Sequence, residues 1–223
     1  MFGIILTHRH CILGTMRTIL RILLDTLFPQ TEHERLLRTT TVTDFSSRYI
    51  PTSTPNGITL AHYSSRRVQA AVAACKFEKN QHAAELLGSL VAQWLRDHPN
   101  TGETIMIPIP LSRARQKERG FNQVTRVLET LPASPLVRIE KNWLLRPTDT
   151  TRQTSLGRKD RLKNMKDAFT VSQTVATITW CPISRIIICD DVLTTGATMK
   201  AARTILAKHV PKHVTIICLA WAH

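Results

Sequence analysis

The sequence predicts an α/β fold, and three stretches carry that prediction. Residues 185–191 run from Arg185 through Ile186, Ile187, Ile188 and Cys189 to two adjacent carboxylates. An aliphatic run of this kind suits a strand covered on both faces in a parallel sheet. A short loop with three threonines and one glycine follows, and then a helical pattern over 197–209 with Met199, Ala202, Ile205 and Leu206 on one face. Residues 82–98 repeat Leu86, Leu87, Leu90, Val91, Trp94 and Leu95 at helical spacing, which marks a core-facing amphipathic helix. Residues 104–110 read as a buried strand that stops at Pro108 and Pro110, because proline has no N–H with which to extend a central ladder. Strand and helix patterns alternate, as they do in α/β proteins.

Composition narrows the functional classes. The 223 residues suffice for one substantial domain with a small appendage, and 43% hydrophobic with 21% charged residues is ordinary for a soluble globular chain. No apolar run reaches the length of a membrane span. The N-terminal apolar patches, 1–6 and 19–28, are separated by Arg9 and Arg17, and the second is broken by Arg21 and Asp25. Neither makes the uninterrupted core of a signal peptide, so a cytoplasmic protein is expected. Cysteines at 11, 75, 181, 189 and 218 are odd in number and form no C-x-x-C pair, which argues against a disulfide framework or a zinc site. Cys189 and Cys218 sit in aliphatic runs and are expected in the core. His8 with His10, and His209 with His213 across Pro211, are too few or too badly placed for a metal centre. Lys and Arg outnumber Asp and Glu by 3 over residues 1–111 and by 11 over 112–223. Most of the second excess lies in 112–170, which suits polyanionic ligands without specifying one.

Taken in order, residues 15–27 carry a helix pattern ended by Pro29, and a short helical segment is expected near 32–37. Residues 39–58 are rich in Thr, Ser and Pro and read as an irregular connection with a turn at Asn56-Gly57. A short strand is expected over 58–63 and a helix over 66–77, through Val68, Ala71, Val72 and Cys75, broken by residues 76–80. After the strand at 104–110, basic residues at 113, 115, 117 and 119 precede a pivot at Gly120. A helix with Phe121, Val124, Leu128 and Leu131 facing inward comes next. Residues 143–146 are a candidate strand and 147–166 a long polar, basic loop. Residues 170–180 make a hairpin arm or edge strand, and 213–220 the last strand. The division expected is an N-terminal helical and irregular hood segment, 1–57, and a main domain, 58–223.

The chemistry concentrates where the strand at 185–191 meets its helix. Free backbone N–H groups and hydroxyls at a helix N-terminus favour a phosphate. Two carboxylates beside that cradle would repel an anion unless the ligand also presents hydroxyls or a divalent cation. Ribose 5-phosphate meets both demands, with its phosphate in the 194–198 loop and its 2′ and 3′ hydroxyls donating to Asp190 and Asp191. Capping alone would need one polar residue rather than this series. Residues 186–198, four hydrophobic residues, Asp190-Asp191, Val192-Leu193 and Thr194-Thr195-Gly196-Ala197-Thr198, resemble the phosphoribosyl-diphosphate (PRPP) binding motif of type I phosphoribosyltransferases at every position.

Three further blocks are similar to ComF-like proteins of that superfamily. Residues 76–79, Lys76-Phe77-Glu78-Lys79, match the family's pyrophosphate loop, and two lysines on a short loop suit a diphosphate leaving group. A solvated helix C-terminus explains the same lysines without a ligand. Pro108, Pro110, Leu111, Arg119, Gly120, Phe121, Asn122 and Gln123 match a P-x-P-L…R-G-F-N-Q block. There Arg119 can engage phosphate oxygens, and Asn122 and Gln123 can hydrogen-bond an acceptor. Gln153, Leu156, Arg161, Asn164, Ala168, Phe169 and Val171 match the segment that includes the mobile loop, which covers the substrate and excludes water. The run 23–29 resembles the opening of ComF-like proteins, but the cysteines of their zinc ribbon are missing from 30–35.

The resemblance implies a type I phosphoribosyltransferase fold: a central, mostly parallel sheet of about five strands flanked by helices, under a small N-terminal hood. It implies transfer of phosphoribosyl from PRPP to an unidentified acceptor with inversion and loss of pyrophosphate. Asp190, Asp191, Lys76 and Arg119 would be catalytic, and Gly120, Asn122, Gln123, Gln153 and Arg161 would lie at the acceptor or mobile loop. Mg2+ would be held through the ligand and not by a protein cage. The alternative is a non-enzymatic competence factor that binds single-stranded DNA. The resemblance also leaves open a helicase of the competence machinery and a second copy of the chain as partners.

Overall fold

A computed structural model of the protein describes residues 32–147, 168–180 and 184–223. The expected helix at 15–27 and almost all of the loop at 147–166, with Gln153 and Arg161, lie outside the described residues. The strands are β1 (Thr52–Thr54), β2 (Gly57–Ala61), β3 (Thr104–Pro108), β4 (Val137–Ile139), β5 (Leu144–Leu145), β6 (Thr170–Val171), β7 (Arg185–Val192) and β8 (Thr215–Ala222). Six of them form one sheet in the order β1-β2-β8-β7-β3-β4. Five are parallel, and β1 is antiparallel to β2 at the edge. β5 and β6 make a separate antiparallel pair.

β7 lies between β8 and β3, and its aliphatic run explains that place. Ile186, Ile187, Ile188 and Cys189 are each fully buried, as a strand covered on both faces requires. Side chains alternate across a strand, so odd and even positions meet different layers. Ile187 and Cys189 join one core with Leu219 and Trp221 of β8, and Ile186 and Ile188 join the other with Cys218 and Ala220.

The first core is covered by α1 (Glu32–Leu37), α2 (Val42–Ser46), α3 (Arg66–Phe77), α4 (Gln81–Asp97) and α6 (Gln123–Leu128), where α5 is Arg113–Arg119. α4 buries Leu86, Leu87, Leu90, Val91 and Trp94 of the expected apolar stripe, each at 1% exposure or less, while Leu95 packs partly buried against the same core. Cutting one such leucine to alanine costs about 2–5 kcal/mol. Gly88 lets α4 approach the end of α6, since a Cβ there would sit 2.0 Å from the Thr130 hydroxyl oxygen. On the opposite face α7 (Ala197–Leu206) packs Met199, Ala202 and Leu206 against the second core.

Several elements differ from expectation for identifiable reasons. The sheet has six strands where about five were expected, because β1 pairs through its backbone from a Thr-Ser-Thr sequence that carries no hydrophobic alternation. The irregular connection expected over 39–58 therefore contains β1 and also α2, which Thr41 and Asp44 start with a reciprocal capping box. Leu37 and Phe45 are buried in the first core. The basic run before Gly120 is the helix α5, begun by the Ser112 side chain accepting from Arg115 N and buried at no residue. Phe121, expected to face inward, instead lies only partly buried beneath cations, and Val127 takes the inward place with Val124 and Leu128. Among the described residues, no helix is long and apolar enough to cross a membrane.

Candidate functional site

The two adjacent acids close β7 at its carboxyl end and, being neighbours on a strand, point to opposite faces. Asp191 shares the side of Ile187 and Cys189, and there two other elements reach it. Lys76, in the last turn of α3, brings Nζ to 3.1 Å from its Oδ1. Gln123, the first residue of α6, donates from Nε2 to its Oδ2 at 2.5 Å. The Gln123 Oε1 in turn accepts from Arg119 Nη1 at 3.0 Å. Arg119, Gln123, Asp191 and Lys76 thus form one polar chain, with Asp191 only 8% exposed.

Asp190 is the partly exposed member of the pair. Its Oδ1 accepts from the Asp191 N–H at 2.9 Å. Burial at the sheet tip, and then the neighbouring Asp191 charge, push its carboxyl up to about 7. The Asp191 N–H, Lys76 and Arg115 oppose that rise without cancelling it. Asp190 borders a small recess of about 20 Å3 lined by Val192, Leu193, Thr194, Thr195, Gly196, Ala197, Thr198 and Met199.

Gly196 shapes that loop. It is the N-cap of α7 with φ +72° and supplies no side-chain cap of its own; the Ala197 N–H donates to the Thr195 hydroxyl at 3.4 Å, and the next N–H groups of this ten-residue helix have no partner within the helix. Glycine is also required sterically. A Cβ there would lie 2.4 Å from Asn56 Cβ and Cγ. Asn56, in the β1–β2 turn, donates from Nδ2 to Thr195 O at 3.3 Å. This support was not visible in the sequence, where Asn56-Gly57 reads only as a turn. The second residue of that turn has φ +148°, and a Cβ on it would meet Cys218 O at 2.8 Å.

The third cluster joins residues 76–79 to 119–123. Phe77 is 67% exposed at the end of α3, with the Arg119 guanidinium 5.1 Å from its ring centroid. Lys79 Nζ lies 5.3 Å, and the Arg126 guanidinium 5.4 Å, from the Phe121 centroid. Lys79 has φ +51°, a left-handed conformation that turns the chain from α3 into α4. Glu78 points away from the carboxylates and pairs with His33 at 3.0 Å. Gly120 ends α5 in the left-handed region at φ +73° and faces Lys79. Asn122 is occupied locally: its Oδ1 accepts from Val124 N and Thr125 N to cap α6, and its Nδ2 donates to Ile109 O at 2.9 Å. Cys75, one residue before Lys76, has its thiol pushed up to about 12 by burial and is no nucleophile.

The structure therefore brings Lys76, Arg119, Gln123 and Asp191 together on one face and Asp190 with the 192–199 loop on the other. The contributions of Asn56, Arg115 and Arg126 were missed. The only sequence signals for them were a turn dipeptide and two among many basic residues.

Comparison with known proteins agrees with this geometry. The phosphoribosyl transferase domain profile matches residues 169–223, which contain β7, the acidic pair, the loop, α7 and β8. Over 139 residues the chain is 31% identical to Competence protein F of Haemophilus influenzae, covering 62% of this chain and 59% of that one. It is 33% identical over 108 residues to Competence protein ComFC of Bacillus subtilis, covering 47% and 39%. It is 28% identical over 148 residues to DNA utilization protein YhgH of Escherichia coli, covering 65% and 63%. The matched stretches thus span 59%, 39% and 63% of these relatives' own lengths.

Proposed function

From the premise that this is a ComF-like protein of the phosphoribosyltransferase superfamily, we propose that it binds PRPP together with Mg2+ and transfers the phosphoribosyl group to an acceptor. The single observation that carries the reading is Asp190 standing beside a helix N-terminus whose N-cap, Gly196, has no side chain to close it. One ligand with hydroxyls on one side and a phosphate on the other satisfies both. The 5′-phosphate takes hydrogen bonds from the N–H groups and hydroxyls of the 194–198 loop, where the α7 dipole favours its charge. The ribose hydroxyls donate to the Asp190 carboxylate, with Asp191 holding the strand end in place behind it. Asp190 gains most from this, because it is the acid held at about 7 for want of compensation.

Among the described residues, no group of three or more His, Cys, Asp or Glu could hold a metal ion. The two carboxylates have one cation in contact between them, Lys76 on Asp191. That excess of acid fits a Mg2+ carried in by the diphosphate and ribose oxygens. When bound, the ion would neutralise diphosphate charge.

In the reaction the bond from ribose C1 to the pyrophosphate oxygen breaks, and a bond from C1 to the acceptor forms on the opposite face. The acceptor loses a proton and pyrophosphate leaves. Lys76, Lys79 and Arg119 lie around the pyrophosphate's expected side and stabilise the charge that grows on it. Lys76 starts from Asp191, so binding exchanges one oxyanion partner for another and leaves Gln123 to keep Asp191 in place. Gly120 lets α5 end beside Lys79 without a side chain in the way.

Calorimetry tests the reading. PRPP with Mg2+ should bind the full chain, and changing both Asp190 and Asp191 to Ala should abolish binding. Unchanged affinity would remove the proposal. The exposed basic helix α5 favours a second ligand. The relatives' names speak of competence and DNA utilization. On that ground we infer that single-stranded DNA contacts Arg113, Arg115 and Lys117.

A further inference from the structure

A second cavity lies apart from the acidic tip. It is an open depression of about 540 Å3, lined by residues that the phosphoribosyl reading leaves unused. Its polar wall is Arg48, which precedes β1, with His62, Ser64, Ser65, Arg66 and Arg67, which follow β2 and open α3. No carboxylate lines it. Among the described residues, Arg48, Arg66 and Arg67 make no salt bridge. The nearest acid known to feel one of them is Asp44, through the charge of Arg67, and Asp44 is already spent on the Thr41 hydroxyl and N–H. Arg48 is half-buried, and its Nε is buried without a partner.

Two features add to the positive potential of this cavity. Arg66 and Arg67 are the first two residues of a twelve-residue helix whose first turn carries no acid. Cations there oppose the helix dipole. The N-cap, Ser65, makes no side-chain hydrogen bond to the first turn, so amide donors are added to the guanidinium groups. Three guanidinium groups and the first N–H groups of the helix are donors, and the side chains of the wall offer them hydroxyls and one imidazole but no carboxylate. Leu36 and Ile50, 36% and 48% exposed, supply an apolar side.

We propose that this cavity is a binding site, separate from the PRPP site, for a phosphate monoester carrying an organic group of nucleotide size. Three cations about one cavity match a dianionic terminal phosphate better than the single charges strung along a phosphodiester chain. The volume lies in the range of small-ligand sites, and the apolar side gives the organic part a surface. The site does not depend on PRPP binding at Asp190.

The test is an NMR titration of amide groups in the full chain with inorganic phosphate, AMP and adenosine, at low salt of about 50 mM so that charge is weakly screened. Phosphate and AMP should shift the amides of residues 64–68, and adenosine should not. Changing Arg48, Arg66 and Arg67 to Gln should weaken AMP by about tenfold or more at those amides, the scale of losing charge-assisted bonds, and leave PRPP affinity unchanged. Ser64→Asp, which puts a carboxylate in the cavity while keeping every arginine, should do the same. Shifts confined to residues 194–198, adenosine binding as well as AMP, or tighter binding by an oligonucleotide without a terminal phosphate would each overturn the proposal.

Discussion

Replacing Asp190 by Asn should stabilise the ligand-free protein at alkaline pH while removing its affinity for PRPP. The side chain keeps its shape and an Oδ1 that can accept from the Asp191 N–H, as it does now at 2.9 Å. What disappears is a charge forced close to Asp191. The folded carboxyl is raised from 3.8 to about 7. The folded state therefore holds a proton that the unfolded chain has released between those values. Stability from this group is full below pH 4 and is lost as pH rises through 7. Three units correspond to about 4 kcal/mol at most. Asp190 is partly open to solvent and titrates together with Asp191, so about 2 kcal/mol is a fair expectation. For a chain of this length that raises Tm by about 4–8 °C. Thermal unfolding followed by circular dichroism should show this gain at pH 8.5, a smaller gain at pH 5, and almost none at pH 3.5, where the group is protonated in both the folded and the unfolded chain. An equal gain at pH 3.5 and pH 8.5, or a loss at pH 8.5, would refute the account of Asp190 as an under-compensated acid.

Lys76→Gln removes the cation 3.1 Å from Asp191, whose side chain is 12% exposed. It should cost about 1–3 kcal/mol in urea unfolding and weaken pyrophosphate by at least about tenfold in calorimetry. Gly196→Ala forces a Cβ to within 2.4 Å of Asn56 at a positive φ. It should lower Tm by about 4–8 °C, a loss of about 2 kcal/mol, and PRPP should no longer protect. Single-stranded DNA binding measured by fluorescence anisotropy should fall steeply with salt. Changing Arg113, Arg115 and Lys117 to Gln should flatten that slope by about 2–3, the count of phosphates no longer contacted.

The elements that hydrophobic burial dictates were legible in the sequence. β7 and α4 show their environment in composition and period, because Ile186–Cys189 and Leu86–Trp94 exist to be covered. What escaped was fixed by contacts of other kinds. β1 is held by backbone pairing from Thr52, Ser53 and Thr54, and its side chains say nothing of it. α5 buries no residue, so it has no apolar face to announce it. Phe121 looks like a core residue in any hydrophobic pattern, yet Lys79 and Arg126 give its ring a cationic setting near the surface. The pairing of Lys76 with Asp191 joins distant parts of the chain, and no local pattern encodes it.

Adjacency of the two acids has a structural consequence that decides between them. Neighbours on a strand face opposite ways, so an Asp-Asp pair at a strand end straddles the sheet instead of pooling charge on one side. Asp191 falls on the face where α3 and α6 supply Lys76 and Gln123. Asp190 falls on the face where the 192–199 loop supplies N–H groups meant for an anion and no cation in contact. On the proposed reading one acid is therefore part of the scaffold and the other meets the ligand. The two conservative substitutions should then differ in sign. Asp191→Asn leaves Lys76 mostly buried, with 20% of its side chain exposed and no counter-charge in contact. It should lower stability at pH 8.5 by about 1–3 kcal/mol, whereas Asp190→Asn raises it. The same substitution removes the charge that lifts Asp190, so in the Asp191→Asn protein the pH 5 to 8.5 stability difference should shrink. Paired denaturant titrations of the two variants would show this crossing. If both variants moved stability in the same direction at pH 8.5, the division of roles between the two faces would be wrong.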